Sequence, residues 1–343
     1  MKKEINFYSK KIRCSALYYK TNSNKSKGII VMAHGLGGVK ELWIDKFAEF
    51  FSKNDYECFL FDYRNYGTSD GNKRQLVNVK NQLMDWNNAI EFVKNNLDTN
   101  VKDIILFGSS FSGGHVIKLL SKRDDVKMAI SQCPYTNTLA TVKTFSLKRI
   151  LKFIFPVLLD LLSCLTGYHP YTLELANESG KSALMKIPNY NDYLKRMPKN
   201  LNVINKAPAR TILEFLKYSP GKYFKNIDRP IYVATCLKDN LAPAYKTIEL
   251  ANKCKSATIK EYNCNHFDIY FDDYFKEACN DYLEFLNKHN NRWKIKFFYV
   301  VTVCVWDFKK EVIKMSNEEK SFPKTSINWL ISIYCTLSEK TYK

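Results

Sequence analysis

Residues 103–115 of the chain read DIILFGSSFSGGH. The apolar start predicts a buried strand, and the small residues after it predict a sharp turn into a helix. Such a turn pushes a serine hydroxyl out above a sheet, and it needs small residues two positions before and after that serine so that strand and helix can approach. Ser110 meets this condition, with Gly108 before it and Ser112 after it. We therefore predict that Ser110 is a nucleophile.

Two neighbouring serines and one other kind of loop are alternatives. Ser112 is itself flanked by Ser110 and Gly114, and Ser109 stands at the strand end. We prefer Ser110 because it follows the strand directly and leaves Gly113 and Gly114 to start the helix. A phosphate-binding loop at a helix N-terminus has similar glycines, but a P-loop also needs a Lys-Ser/Thr pair after them, which this stretch lacks.

Short apolar runs alternate along the chain with longer segments of helical period. This pattern predicts an α/β fold with a mostly parallel sheet flanked by helices. In an open parallel sheet, ligands bind at the loops that follow the strands. A last helix is expected over Asp272–His289. The six runs are Gly28–Ala33, Glu57–Asp62, Asp103–Phe107, Lys127–Gln132, Pro230–Leu237 and Ala257–Tyr262.

A serine nucleophile needs a base and an acid that orients the base. His266 follows the last predicted strand in a polar loop, and Asp239 follows the strand before it. The resulting chain order is serine, aspartate, histidine. Asp268 is a competing acid, but it stands two residues from His266 and is poorly placed to reach the far ring nitrogen. We predict His266 as general base and Asp239 as its orienting acid.

Acyl transfer also needs two backbone N–H groups aimed at the developing oxyanion. One is expected at Phe111, immediately after the nucleophile. The other is expected at Leu36 or a neighbour in the segment His34–Gly38, whose glycines let backbone approach a substrate. We expect His34 to be a structural, hydrogen-bonding residue and not a second base.

The alternation of strand-like apolar runs with helical segments stops over residues 135–228. This predicts a helical lid insertion there. The segment Phe145–Leu165 is almost continuously apolar, but Lys152 and Asp160 would lie within a hydrocarbon core and Pro156 would break a helix. We expect two shorter helices that roof an apolar pocket. Insertion into a membrane surface and a true membrane span are the alternatives.

The domain organisation is expected to be one domain over residues 1–290, including the insertion, and an extension over residues 291–343. The extension contains the apolar run Phe297–Trp306, which is too short to span a bilayer. It is either a packed element or a surface anchor. The sequence does not decide between them.

Composition limits the classes of partner. The chain has 53 Lys and Arg against 34 Asp and Glu, a net charge of +19, but the excess is mostly lysine and lacks an arginine stripe, zinc spacing or RNA-binding aromatic motif. We expect no specific nucleic-acid partner and at most weak membrane-surface contact through the lid or the tail. The N-terminus has no signal-peptide apolar run, and the ten Cys form no C-x-x-C pair. Free thiols in a cytoplasmic protein are the expectation.

These motifs together resemble the α/β-hydrolase superfamily over roughly residues 10–288. Residues 61–71 (FDYRNYGTSDG) resemble that superfamily's turn after its fourth strand. Asp85-Trp86, residues 108–116 and residues 266–270 (HFDIY) resemble a bacterial group described as serine-aminopeptidase-like or dipeptidyl-peptidase-like hydrolases. The resemblance implies the α/β-hydrolase fold, a Ser110, Asp239 and His266 triad, no metal and no organic cofactor.

The expected function is hydrolysis of a carboxylic ester or thioester through an acyl-enzyme, because the apolar insertion favours a small-molecule acyl substrate. A serine aminopeptidase is one alternative, and it needs a lid carboxylate such as Glu174 or Glu178 to hold the substrate's ammonium. A non-catalytic protein that binds membranes or a partner is the other.

Overall fold

A computed structural model describes residues 1–290 apart from 23–25, 98–102, 168, 180–182 and 202. Residues Met1–Leu286 form one compact unit. The expected extension over residues 291–343 lies outside the described residues, and the division into domains stays a prediction. The strands in the described part are β1 (Lys2–Ser9), β2 (Ile12–Tyr19), β3 (Gly28–Ala33), β4 (Tyr56–Phe61), β5 (Ile104–Ser109), β6 (Val126–Gln132), β7 (Thr172–Asn177), β8 (Ala183–Lys186), β9 (Lys206–Pro208), β10 (Ile231–Cys236) and β11 (Ala257–Tyr262).

Helices connect most of these strands. Short 3-10 helices cover Pro220–Asn226 and Asp268–Tyr270. The α-helices are α1 (Ile44–Lys53), α2 (Val79–Asn96), α3 (Phe111–Leu120), α4 (Thr138–Val142), α5 (Leu147–Thr166), α6 (Tyr190–Lys195), α7 (Thr211–Leu216), α8 (Ala244–Ala251) and α9 (residues 272–290).

The main sheet has eight strands in the order β1-β2-β4-β3-β5-β6-β10-β11. The pairs β1–β2 and β2–β4 are antiparallel, and the other neighbours are parallel. The predicted, mostly parallel sheet flanked by helices is confirmed. All six predicted strands are present with ends shifted by at most two residues, whereas the antiparallel hairpin β1–β2 was not predicted.

The core lies on both faces of this sheet because side chains alternate along each strand. In β3, Ile29 and Val31 pack on one face with Trp86 of α2 and Val116 of α3. Ile30 and Met32 of the same strand pack on the other face with side chains of α1 and α9. Every residue of β3, β4 and β5 is buried, so the loops at the ends of these strands rest on a rigid base.

The insertion contains a second sheet as well as the expected helices. Its three strands run in the order β8-β7-β9, with β7 parallel to β8 and antiparallel to β9. Strand β7 has six residues, β8 has four and β9 has three. They are too short and too irregularly buried for an alternating pattern to indicate them.

The expectation of two helices broken at Pro156 is wrong, because α5 is one helix of 20 residues with Pro156 inside it. Phe153, Val157 and Asp160 are buried on the same side of the helix, before and after the proline. Packing of this side offsets the lost backbone hydrogen bond, which costs about 3 kcal/mol in a helix interior. Among the described residues, no helix combines the length and apolarity needed to cross a membrane.

Candidate active site

Ser110 lies at the turn between β5 and α3 in a strained backbone conformation, with φ 56° and ψ −116°. Such a conformation persists only where surrounding structure holds it. The Ser110 N–H donates to Gln132 O at 2.8 Å, and Ser110 O accepts from the Tyr135 N–H at 3.0 Å. Ser110 is half-buried, whereas the preceding strand and the following turn of helix are buried. The turn therefore presents Ser110 outward, as the sequence predicts.

Gly108 allows the close approach that this turn requires. A Cβ at residue 108 would lie 2.2 Å from the backbone oxygen of Ser112. No side chain fits at that distance. The second small position is different, since Ser112 is fully buried and its hydroxyl donates to His34 O and contacts Tyr63 Oη. A serine is accommodated there because its hydroxyl has partners.

The structure brings the predicted serine, histidine and aspartate into one hydrogen-bonded line. His266 Nε2 lies 3.0 Å from Ser110 Oγ, and His266 Nδ1 lies 2.5 Å from Asp239 Oδ2. The other carboxylate oxygen, Asp239 Oδ1, accepts from the N–H groups of Leu241 and Ala242 at 2.7 and 2.8 Å. Both carboxylate oxygens are thus occupied, which fixes the Asp239 side chain toward the His266 ring.

The competing residues face other partners. Asp268 accepts hydrogen bonds from the Asn265 N–H at 2.8 Å and from Tyr193 Oη at 2.6 Å. Ser109 Oγ lies 2.5 Å from Tyr270 Oη and accepts from Gln132 Nε2 at 2.9 Å. The geometry therefore favours Asp239 over Asp268 as the partner of His266, and Ser110 over its neighbours as the partner of the ring's other nitrogen.

The loop after β3 lies against Ser110. A Cβ at Gly35 would stand 2.7 Å from Ser110 Cβ and 3.3 Å from Ser110 Oγ, so only backbone fits there. The next residue, Leu36, lines the space in front of the serine. His34 is buried and its Nδ1 lies 2.8 Å from Gly35 O. Burial lowers the pKa of His34, which keeps this ring neutral at pH 7.

Three long-range contacts that the sequence did not predict hold the site. Lys40, at the end of the same loop, is buried and donates through Nζ to Asp62 Oδ2 at 3.0 Å. Trp86 Nε1 donates to Tyr63 Oη at 2.7 Å. Arg64 donates through Nε to Asp85 Oδ1 at 2.8 Å. Several of these residues carry the family resemblance, and the structure gives them supporting positions around the loops.

Cys133 adds a thiol beside the histidine and aspartate. Its Sγ and the ligand atoms of Asp239 and His266 all lie within 4.8 Å of one another, and Cys236 Sγ is 3.1 Å from Cys133 Sγ. Thiolate, imidazole and carboxylate are zinc ligands. A metal ion here would have to replace the hydrogen bond between His266 and Asp239. That hydrogen bond accounts for the cluster, and we assign it no metal role.

Two cavities meet at Ser110 beneath the insertion. The first has a volume of about 150 Å³ and is lined by Trp43, Leu175, Met185 and Ile204 among others. The second has a volume of about 60 Å³ and is lined by Phe111, Phe145 and Phe215 among others. Within the described residues, no Asp, Glu, Lys or Arg lines either cavity. The expected apolar pocket is therefore present. Strands β7 and β8 and helix α6 form its roof, whereas α5 lies behind β7 and lines neither cavity.

A doubly flanked, mostly parallel sheet with serine, aspartate and histidine at its strand ends is the architecture of the α/β hydrolases. The model of the α/β hydrolase fold family matches residues 28–273, and the chain belongs to this family. The narrower aminopeptidase-like group stays a prediction.

Named relatives agree with this class. The chain is 34% identical over 286 residues to the quorum-quenching protein AidA of Acinetobacter baumannii. The aligned residues cover 83% of this chain and 94% of that protein. It is 40% identical over 105 residues to the thiohydrolase aneE of Aspergillus aculeatus, covering 31% of this chain and 33% of that one. The crystal structure of the α/β hydrolase GrgF from Penicillium has a TM-score of 0.70 at 22% identity, covering 85% of this chain and 99% of that chain. The family match and these relatives, one of them named a thiohydrolase, support a hydrolase enzyme.

Proposed function

We propose that the protein is a serine hydrolase that cleaves a carboxylic ester or thioester of an apolar acyl group. The observation that carries this proposal is the hydrogen-bonded line of Ser110, His266 and Asp239, with distances of 3.0 and 2.5 Å. His266 takes the Ser110 proton as Oγ attacks the carbonyl carbon, and Asp239 stabilises the imidazolium. The proton then passes to the leaving alcohol or thiol, which departs as the acyl-enzyme forms.

Water completes the cycle. His266 accepts a proton from the water that attacks the acyl-enzyme carbonyl, and returns that proton to Ser110 Oγ as the carboxylic acid leaves. Every step uses the same hydrogen-bonded pair, so no cofactor or metal is part of this proposal.

The oxyanion is proposed to bind the N–H groups of Phe111 and Leu36. Phe111 is the first residue of α3, where N–H groups have no partner within the helix and the helix dipole favours negative charge. Leu36 follows Gly35, whose backbone lies against Ser110. Together the two N–H groups would flank the carbonyl oxygen of a bound acyl group.

The acyl chain is proposed to occupy the larger cavity. Its apolar lining favours hydrocarbon, and its volume of about 150 Å³ suits a chain of moderate length. The names of relatives support the choice of ester or thioester, since one of them is a thiohydrolase. The chemical identity of the leaving group is left to the substrate screen below.

The aminopeptidase alternative is less well supported. A free substrate ammonium requires a carboxylate in the pocket, and neither Glu174 nor Glu178 is among the described residues that line the two cavities. The non-catalytic alternative does not account for the hydrogen-bonded alignment of three separate loops.

A cytoplasmic location is part of the proposal. The eight cysteines in the described residues are free thiols, as a reducing compartment favours.

Covalent labelling with a fluorophosphonate tests the nucleophile. We expect the full-length protein to be labelled at Ser110, with labelling lost in Ser110→Ala and retained in Ser109→Ala and Ser112→Ala. The two neighbouring variants are matched controls because they remove a hydroxyl from the same turn. Labelling of the Ser110→Ala protein, or none of the folded wild type, would refute the proposal.

A substrate screen tests the chemistry. Nitrophenyl esters and thioesters of increasing acyl length are compared with aminoacyl naphthylamides. We expect turnover of the esters and thioesters and an optimum at intermediate length. In Ile204→Trp, which fills the larger cavity, the optimum should move to shorter chains, whereas Leu216→Trp, outside both cavities, should leave it unchanged. Amide turnover that exceeds ester turnover would favour the aminopeptidase instead.

A further inference from the structure

The outward side of α5 is a continuous stripe of large apolar side chains. We call six of them the outer stripe. Each lies three or four residues from another member, which places all six on one side of the helix. Their exposed fractions range from 50% to 84%. The outer stripe consists of Leu151, Ile154, Phe155, Leu158, Leu162 and Leu165.

The opposite side of α5 packs against the rest of the insertion. Phe153 packs with Leu175 and Leu184 of the insertion sheet. Asp160 is buried and accepts from Arg210, whose Nη1 lies 3.0 Å from Asp160 Oδ1. The orientation of α5 is therefore fixed, and the outer stripe faces away from the protein's own core. Contiguous exposed apolar surface of this kind marks an interaction site.

The exposed charges on α5 and just before it are all positive. Lys148 and Lys152 are exposed on α5, and Lys143 is exposed just before it. The one acidic residue of α5 is the buried Asp160. A helix with an apolar side bordered by lysines suits the boundary of a bilayer, where the apolar side enters the acyl region and the lysines reach anionic headgroups.

The same charges argue against a second copy of the chain as the occupant. In a symmetric contact each copy presents the same patch to the other. Such a contact through the outer stripe would bring lysines near lysines with no acidic residue of α5 to pair with them. An anionic lipid surface, by contrast, is complementary to these lysines and to the net charge of +19.

We propose that the outer stripe of α5 binds the surface of an anionic phospholipid bilayer without spanning it. The stripe lies one layer from the catalytic cavities, since Leu175 and Leu184, which Phe153 contacts, line the larger and the smaller cavity respectively. Bound in this way, the insertion lies against the lipid phase from which an acyl substrate would come. The surface itself does not depend on the proposed hydrolysis.

Co-sedimentation of the full-length chain with vesicles tests this surface. Vesicles of phosphatidylcholine are compared with vesicles that also contain about 30% phosphatidylserine. We expect binding to the anionic vesicles that is at least about tenfold tighter than to neutral ones, and that weakens between about 0.05 and 0.5 M salt. Equal binding to both vesicle types, or none to either, would overturn the proposal.

Two sets of variants locate the contact. Phe155→Gln with Leu158→Gln should weaken binding by about 10- to 100-fold, because two exposed apolar side chains no longer enter the bilayer. Lys148→Gln with Lys152→Gln should cost about fivefold for each lysine on anionic vesicles alone. The matched control, Leu216→Gln with Leu237→Gln, changes two other exposed leucines and should bind as the wild type does.

Two further readouts separate the alternatives. Turnover of a short, water-soluble ester should be unchanged in all three double variants, which shows that they are folded, and it reports the proposed hydrolysis independently of membrane binding. If the Phe155 and Leu158 double variant still binds vesicles fully, another part of the chain makes the contact and the proposal fails. Analytical ultracentrifugation without vesicles tests for a dimer. If the wild type is a dimer and the Phe155 and Leu158 double variant is not, a second copy covers the outer stripe and the proposal fails.

Discussion

Lys40 and Asp62 form a buried ion pair that ties the loop in front of Ser110 to the end of β4. The Lys40 N–H donates to Asp62 Oδ1 at 2.7 Å, and Lys40 Nζ donates to Asp62 Oδ2 at 3.0 Å. Both side chains are fully buried. Burial alone would lower the pKa of Lys40, but the charge of Asp62 and the contact with Glu41 more than offset burial and leave that pKa raised. Lys40 is therefore charged at pH 7.

Removal of one partner should be strongly destabilising. We expect Lys40→Met to lower the free energy of unfolding by about 3–5 kcal/mol, because it leaves the Asp62 charge buried without its partner. Urea denaturation measures this change. Lys195→Met is the matched control, since Lys195 pairs with Asp192 at an exposed site, and it should change stability by at most about 0.5 kcal/mol. Equal losses in the two variants would contradict this account.

Asp239→Asn should remove activity without unfolding the protein. The amide oxygen can still accept from Leu241 and Ala242, but the amide nitrogen facing His266 Nδ1 favours the tautomer that cannot accept the Ser110 proton. We expect kcat to fall by about 10⁴-fold with little change in the melting temperature. The comparison is Asp268→Asn, which should lower kcat by less than about tenfold. A larger effect at Asp268 would reverse the assignment of the acid.

Gly108→Ala should disrupt the turn that presents Ser110. The new methyl group would lie 2.2 Å from the backbone oxygen of Ser112, so strand and helix must separate. We expect a loss of at least about 3 kcal/mol in stability and the loss of fluorophosphonate labelling. Ser112→Ala is a milder change at the other small position, and it should cost about 1–3 kcal/mol by leaving buried hydrogen-bonding groups unsatisfied while Ser110 is still labelled. Normal labelling of Gly108→Ala would show that the close approach is not required.

His115 should make stability depend on pH. Burial lowers the pKa of His115 from 6.5 to about 3, and its ring bonds Tyr218 Oη at 2.7 Å and Gln82 Oε1 at 3.0 Å. Between these two pKa values the unfolded chain binds a proton that the folded protein does not. Stability contributed by this residue is therefore complete above pH 6.5 and falls by about 1.4 kcal/mol per pH unit as the pH decreases toward 3.

The slope is measured by denaturation at several pH values. His115→Gln should be less stable than the wild type at pH 7, but its stability should fall less steeply between pH 6.5 and 5, since the other titrating groups are common to both proteins. Parallel slopes for the two proteins would mean that His115 is not the source of the dependence.

The sequence predicted those parts of the fold that depend on local pattern. Five of the six parallel strands are short, almost wholly buried runs, and turn residues follow all six. Their carboxyl ends determine where Ser110, Asp239 and His266 lie. Strand β1, KKEINFYS, has no apolar run to indicate it because it is largely exposed at the sheet edge. The contacts of Lys40 with Asp62 and of Ser112 with His34 join residues that are far apart in sequence. No periodicity predicts such contacts, although His34, Asp62 and Ser112 each stand in a segment that the sequence indicates.

The difference between local sequence pattern and tertiary packing also explains why predictions for the insertion were wrong. Pro156 is a reliable signal against helix from local geometry, but packing of Phe153 and Val157 on either side of it outweighs that signal. The apolar residues of α5 predicted a pocket lining, whereas the structure places most of them outward and builds the roof from short strands. Composition indicated how apolar the segment is but not which side of it faces the protein.

The roof over the two cavities comes from one contiguous stretch of the chain, whereas the triad comes from three loops of the main sheet. The described residues between Leu175 and Asn205 supply one wall of the larger cavity and none of the three residues that are proposed to react. We therefore expect mutations in that stretch to change which substrates are accepted while the geometry of Ser110, His266 and Asp239 stays intact. Evolution, or a library confined to these residues, can exchange substrates without rebuilding the catalyst.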